Sequence, residues 1–199
     1  LALLATPWDF GQDAPPFARL FTTPAARAAL RWMGVLPVDV IQALLATLDA
    51  NQVPNKMRAF ARLDPAAAAT RGFVALEDWL NDGVPLVGPV AEECLAGWYG
   101  LNQPARGLWR VAGEPVRPEA WPGPTLVVVP ARDRIVPPAS AEALALALPG
   151  ARVLRPAAGH IGMVVGRNAE SVLWRPLGDW LAETLARPRD KARLQTLRH

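Results

Sequence analysis

TLVVVPARDRIVPP, Thr125 to Pro138, is the stretch on which the fold turns. Pro122-Gly-Pro124 introduces it and Pro130 closes its apolar run. A short, unbroken apolar run between turn residues reads as a strand covered on both faces. Beyond it, Pro137-Pro138 opens a helical stretch from Ala139 to Leu148, which Pro149-Gly150 ends. Ala151 to Arg155 (ARVLR) reads as the next strand. Ala157-Ala-Gly-His160 follows, and then an amphipathic helix from about Asn168 to Ala186. In that helix Val172, Leu173, Leu177, Trp180, Leu181 and Leu185 recur at helical spacing, with Asn168 as the expected N-cap. Strand, helix, strand, helix is the alternation of a parallel sheet with crossover helices. At the other end of the chain Leu1 to Thr6 (LALLAT) reads as a further buried strand. The expected class is therefore α/β.

Roughly residues 11 to 115 are of another kind. Ala25 to Met33, Val38 to Leu48, Lys56 to Leu63, Ala66 to Asn81 and Pro89 to Tyr99 each carry a helical apolar pattern, with breaks at Asp82-Gly83 and Leu101 to Gly107. An insertion this long between consecutive strands exceeds a crossover, so a helical cap over one edge of the sheet is expected, where ligands of open α/β sheets bind. The organisation read from the sequence is a core of residues 1–10 and 116–187, a cap of 11–115 and a basic tail of 188–199. Arg187, Arg189, Lys191, Arg193 and Arg198 make the chain's end its one local basic cluster, read as a solvated extension.

Composition narrows the classes further. An apolar content of 51% with 20% charge excludes a disordered chain, and the 21 prolines lie between apolar runs as punctuation. A net charge of +3 gives no basis for a nucleic-acid partner. One cysteine and two histidines rule out a disulfide framework and speak against a structural zinc site, which fits a cytoplasmic location. No apolar run approaches the roughly 20 residues of a membrane helix, so no integral membrane segment is expected. No dinucleotide, phosphate-loop or metal motif appears, and no cofactor is expected.

Two loops carry the ionisable residues of interest. Asp133 follows the strand TLVVV, and His160 follows the strand ARVLR 27 residues later. That spacing holds one helix and one strand, so both loops fall at the same sheet edge. In α/β-hydrolases the catalytic residues run nucleophile, acid, histidine in chain order, each on a loop after a strand. Imidazole can take a nucleophile's proton and return one to the leaving group, while a carboxylate fixes its tautomer and stabilises the imidazolium. Glycines on either side, Gly159 and Gly162, are expected to let backbone approach closely. Asp133 and His160 are thus the candidate catalytic pair.

The nucleophile of such a triad is not among the expected residues. Ser140 and Ser171 are the only serines, and neither lies in a Gly-x-Ser-x-Gly elbow. Cys94, in Ala91-Glu-Glu-Cys-Leu-Ala96, has a helical pattern around it and reads as a structural cysteine. The nucleophile strand of this fold would come just before a strand like LALLAT. The expectation is therefore a chain that begins downstream of it, the C-terminal portion of an α/β-hydrolase fold.

Several motifs resemble the poly(3-hydroxyalkanoate) synthases, especially the shorter class that works with a partner subunit. They are Leu4-Ala-Thr-Pro-Trp-Asp-Phe10, Trp79-Leu-Asn-Asp-Gly83, Trp98-Tyr-Gly-Leu-Asn102, Ala131-Arg-Asp-Arg-Ile-Val-Pro-Pro138 and Ala158-Gly-His-Ile-Gly-Met163, in family order over most of the chain. The resemblance implies an upstream cysteine nucleophile, with Asp133 and His160 at the acid and base positions. It further implies a 3-hydroxyacyl-CoA substrate, a polyester product, release of CoA, and a partner synthase subunit or a second copy of the chain. Arg134 stands where the family usually has a histidine. Two other readings stay open: an esterase or polyester depolymerase with an upstream serine, and a non-catalytic pseudo-enzyme that binds polymer or a synthase. Trp8, Trp32, Trp79, Trp98, Trp109 and Trp121 read as cap core or as an apolar surface for acyl chains.

Overall fold

The computed structural model describes residues 1–47 and 52–186. The expected basic tail, 188–199, lies outside the described residues. In chain order the strands are β1 (Ala2–Leu4), β2 (Val35–Leu36), β3 (Leu86–Val87), β4 (Arg110–Val111), β5 (Glu114–Pro115), β6 (Leu126–Val128) and β7 (Arg152–Leu154). The α-helices are α1 (Pro24–Met33), α2 (Val38–Ala46), α3 (Gln52–Phe60), α4 (Ala68–Asn81), α5 (Gly88–Glu92), α6 (Pro138–Ala147), α7 (Gly162–Val165) and α8 (Arg175–Ala186). The chain divides into two compact units: Leu1–Gln12 with the described residues from Pro104 onward, and Asp13–Gln103.

The first unit is α/β. Its sheet has the order β1-β6-β7, parallel throughout, with Leu3 opposite Val127 and Val127 opposite Val153. The three apolar runs read as strands are these three. β6 lies in the middle and shows why its sequence has no polar position. Successive side chains of a strand point to opposite faces. Leu126 and Val128 face a cluster with Ala5, just past β1, and with Met163, Leu173 and Trp180, from the segments around α7 and α8. Val127 and Val129 face a second cluster with Val136, Ala141, Leu144 and Leu148, on and around α6. Both faces are covered, so alternation disappears and every position must be apolar. Ion pairs on the flanks tie Arg152 to Glu183 of α8 at 3.2 Å and Arg155 to Glu142 of α6 at 3.0 Å.

The terminal helix differs from its sequence reading in two respects. Glu170 to Trp174 form a wide π-helical turn before α8 begins at Arg175. Pro176 is the cause that the sequence offers: it has no N–H to donate, and its ring excludes the carbonyl four residues earlier from a tight turn. Asn168 contributes its backbone carbonyl, which accepts from the amides of Ser171 and Val172, and no side-chain cap opens the turn.

The second unit is helical with one small ladder. Thr23 caps α1, its hydroxyl accepting from Ala26 N at 3.3 Å, and Gly34 ends that helix at a φ of +71°, which favours glycine. β2 and β3 then pair antiparallel, Val35 with Val87 and Leu36 with Leu86. Gly88 starts α5 hard against α1, its amide donating to Gly34 O at 2.6 Å. Phe21, Leu30, Leu36, Ala91 and Leu95 fill the core between these elements. Arg27 and Arg31 both reach Glu92 at 2.8 Å, and their hydrogen bonds and charges, led by the bond from Arg27, hold its carboxyl below the usual range. Lys56 pairs with Glu77, and Phe60 stacks on Phe73 with ring centroids 4.6 Å apart, joining α3 to α4.

Candidate active site

Parallel pairing of β6 with β7 does not stop where the strands end. Val129 N donates to Leu154 O at 2.8 Å, Ala131 N to Pro156 O at 2.9 Å and Arg132 N to Ala158 O at 3.0 Å. The Arg132 guanidinium also reaches the carbonyl of Ala157. The two loops are thereby zipped together along their backbones, and the next residue on each is a short step from the other. There the Asp133 carboxylate meets the His160 ring, Oδ2 to Nδ1 at 2.8 Å. The contact expected between them is present.

The carboxylate is held at both oxygens. Oδ1 accepts from the amides of Ile135 at 2.8 Å and Val136 at 2.9 Å, a local turn of the kind aspartate forms with residues just beyond it. This leaves Oδ2 for the ring. The Asp133 side chain is fully buried, whereas 28% of the His160 side chain is exposed. A carboxylate can only accept, so Nδ1 carries the proton in this pair and Nε2 of the neutral ring keeps its lone pair. That arrangement can take a proton at Nε2 from a group outside the pair, and the buried charge of Asp133 stabilises the imidazolium that results.

His160 stands just ahead of the short α7, whose first turn closes with Met163 N donating to Gly159 O at 3.0 Å. The neighbouring glycines do not show the close backbone approach expected of them. A Cβ at Gly159 would meet Arg132 O at 3.4 Å, an ordinary contact, and one at Gly162 would meet nothing within 4 Å. Close backbone approach within this chain therefore does not explain them.

The hydroxyls and the thiol are accounted for separately. Ser140 is buried in α6, where its hydroxyl accepts from Trp8 N at 3.2 Å. Ser171 donates its hydroxyl to Asn168 O at 3.0 Å on the surface of the wide turn. Cys94 lies in a π-helical segment, Glu93–Gly100, of the helical unit, and burial, with Glu93 beside it, pushes its thiol up. None of the three sits in a strand-to-helix elbow. The tryptophans divide as well: Trp32 and Trp79 are 88% and 61% exposed and form no core, while Trp8 and Trp109 meet edge to face at 6.1 Å. Among the described residues no group of three or more histidine, cysteine or acidic side chains could hold a metal ion.

A parallel α/β sheet with a buried aspartate and a half-exposed histidine joined across two strand-end loops defines the class to which these residues point. No protein-family model matches the chain. It is similar to the poly(3-hydroxyalkanoate) polymerase subunit PhaC of Haloferax mediterranei, 27% identical over 154 residues that make up 75% of this chain and 31% of that protein. It is also similar to the subunit of the same name from Haloarcula marismortui, 25% identical over 154 residues, 75% of this chain and 32% of that protein. The chain is thus related to the poly(3-hydroxyalkanoate) polymerase subunits, and it spans about a third of the length of the curated relatives that it matches. No helix among the described residues is long and apolar enough to cross a membrane.

Proposed function

We propose that this chain supplies the acid and the histidine of an acyltransferase that builds a polyester from 3-hydroxyacyl-CoA. In this reading residues 1–10 and 116–187 are the C-terminal part of an α/β-hydrolase core, 11–115 its helical cap and 188–199 a basic tail. The nucleophile, a thiol or a hydroxyl, stands on sequence that precedes Leu1 in the whole protein. His160 Nε2 takes the nucleophile's proton as it attacks the thioester carbonyl. The carbon–sulfur bond to CoA then breaks, and the proton held on His160 goes to the departing thiolate. The acyl group is left on the enzyme. In the second half the 3-hydroxyl at the end of a chain gives its proton to His160 and attacks that acyl group; the bond from the acyl carbon to the nucleophile breaks, the His160 proton returns to the nucleophile, and the polyester has grown by one unit. Asp133 holds the ring tautomer and offsets the imidazolium charge in both halves.

The observation that carries this reading is the 2.8 Å pairing of His160 with a buried carboxylate whose other oxygen is already occupied by two amides. The polymerase rather than the hydrolase assignment rests on the names of the two relatives. Those names also call each relative a subunit, and a partner subunit is part of the same proposal; a cytoplasmic location, which rests on the single cysteine, is proposed with it. The test is to express the chain together with the sequence that precedes it in its gene and to follow CoA release from 3-hydroxybutyryl-CoA. Thiol release with insoluble polyester is the expected result. Hydrolysis of the thioester to the free acid without polymer would make the protein a hydrolase on the same dyad, and no turnover of either kind would leave the pseudo-enzyme.

A further inference from the structure

Ser140, seven residues after Asp133 in sequence, carries a buried hydroxyl that the proposed chemistry leaves unused. It lies in the first turn of α6 and is 1% exposed. A serine inside a helix normally turns its hydroxyl to solvent or back to its own backbone. Here the hydroxyl instead accepts from Trp8 N at 3.2 Å, across 132 residues of sequence, and the Ser140 carbonyl accepts from Asp9 N at 3.4 Å. Both partners lie on the segment that leaves β1. That segment turns at Ala5, a buried alanine with a φ of +48°. A non-glycine residue in this region is strained, and such strain persists only where surrounding contacts over-determine it. The two bonds to Ser140 are contacts of that kind.

On its other side Ser140 bounds the acid loop. Its amide donates to Pro137 O at 2.9 Å, and Val136, buried, comes just before. Trp8 and Ile135 both pack against the apolar cluster that contains Val136. Ile135 and Val136 are the residues whose amides hold Oδ1 of Asp133. We infer that Ser140 is a positioning residue for the dyad: it fastens the β1 exit to the far end of the acid loop, and so keeps the two amides aimed at Asp133 and the second carboxylate oxygen aimed at His160. The near end of the loop is fixed by the ladder to the His160 loop, so the loop is clamped at both ends. The inference rests on the functional reading only for its bearing on catalysis.

The test uses a spectroscopic signature that loss of stability alone does not move. In the 199-residue chain the Nδ1 proton of His160 should give a far-downfield, slowly exchanging NMR signal, because it is bonded to a carboxylate. Ser140→Ala should broaden or abolish that signal at temperatures where circular dichroism shows the fold intact, and amide exchange at Ile135 and Val136 should rise at least tenfold. Ser171→Ala, whose hydroxyl lies on the surface of the wide turn, should leave both readouts as they are. If Ser140→Ala does not fold, Ser140→Cys, close in size with a weaker acceptor, carries the same measurements. An unchanged signal and unchanged exchange in a folded Ser140 variant would overturn the inference. A variant that loses the signal while the complete protein proves non-catalytic would leave the positioning role standing and remove only the functional reading.

Discussion

His160 is half exposed, and its partner Asp133 is buried and bound at three points, so the two residues should respond differently to substitution. In the complete protein His160→Ala removes the group that moves the proton, and catalysed turnover should fall by about a thousandfold or more. Asp133→Asn keeps the shape but offers an amide where two backbone N–H groups and a ring N–H all donate. It should cost somewhat less in rate than His160→Ala and also lower the melting temperature, because the buried donors lose a charged acceptor. Steady-state assay of CoA release and thermal unfolding check the two halves of this statement. Near-normal turnover by the His160 variant would take it out of the site. Cys94 gives the opposite kind of prediction. Its thiol is pushed up by burial and by Glu93, so at neutral pH the folded chain holds less thiolate there than a free cysteine would. Alkylation by iodoacetamide should be slower than in denatured chain and should rise with pH to a higher midpoint; equal rates in both states would contradict the burial. At this scale the sequence made the pair legible, because each residue follows an apolar strand and a parallel topology brings such ends together. The amides of Ile135 and Val136 were not legible, since every residue has an amide and only the folded turn selects which ones point at Oδ1. Nor was the exposure of Trp32 and Trp79, because an aromatic residue at helical spacing looks the same whether or not its face is covered.

Elements were legible in proportion to their length. The three strands of the parallel sheet and the long helices each carry a run or a period, whereas β2, β3, β4 and β5 have two residues apiece and no period to read. Their pairing is set by the turns around them, as at Gly34, where α1 must stop for β2 to begin. The same spot yields a paired prediction. Alanine ordinarily stabilises a helix relative to glycine by roughly 0.5–1 kcal/mol. In α4 a Cβ at Gly72 would meet nothing within 4 Å, so Gly72→Ala should raise stability by about that amount. At Gly88 the added Cβ would lie 3.1 Å from Gly34 O and 3.2 Å from Leu30 O, both backbone atoms fixed by α1. Gly88→Ala should therefore destabilise by about 1–3 kcal/mol in spite of its better propensity. Denaturant unfolding of the two variants beside the parent decides it. A gain at Gly88 would mean that α5 does not sit against α1 as closely as the bond from Gly88 N to Gly34 O requires.

At the scale of the whole molecule, the question is whether these 199 residues can turn over a substrate by themselves. Acyl transfer through a covalent intermediate needs a nucleophile, a base and an orienting group in one place. On the proposed reading His160 is the base and Asp133 the orienting group, paired through Nδ1 and Oδ2 at 2.8 Å. The chain's serines are both engaged elsewhere, Ser140 by Trp8 N in the packed side of α6 and Ser171 by Asn168 O on the surface of the wide turn. Its one cysteine is in a helical segment with its thiol held protonated. A base without a nucleophile retains little of a triad's rate, because members of such a unit do not contribute independently. The purified 199-residue chain should accordingly release no CoA from 3-hydroxybutyryl-CoA above the uncatalysed rate. Adding the preceding sequence of its gene, in one polypeptide, should restore release, and His160→Ala in that longer protein should abolish it again. Clear turnover by the 199 residues alone, lost in Cys94→Ala, would assign the nucleophile to Cys94 and overturn both this prediction and the reading of that residue as structural. Turnover that survives Cys94→Ala but is lost in Ser171→Ala would move the nucleophile to a surface serine, and the order nucleophile, acid, histidine would no longer describe the chain.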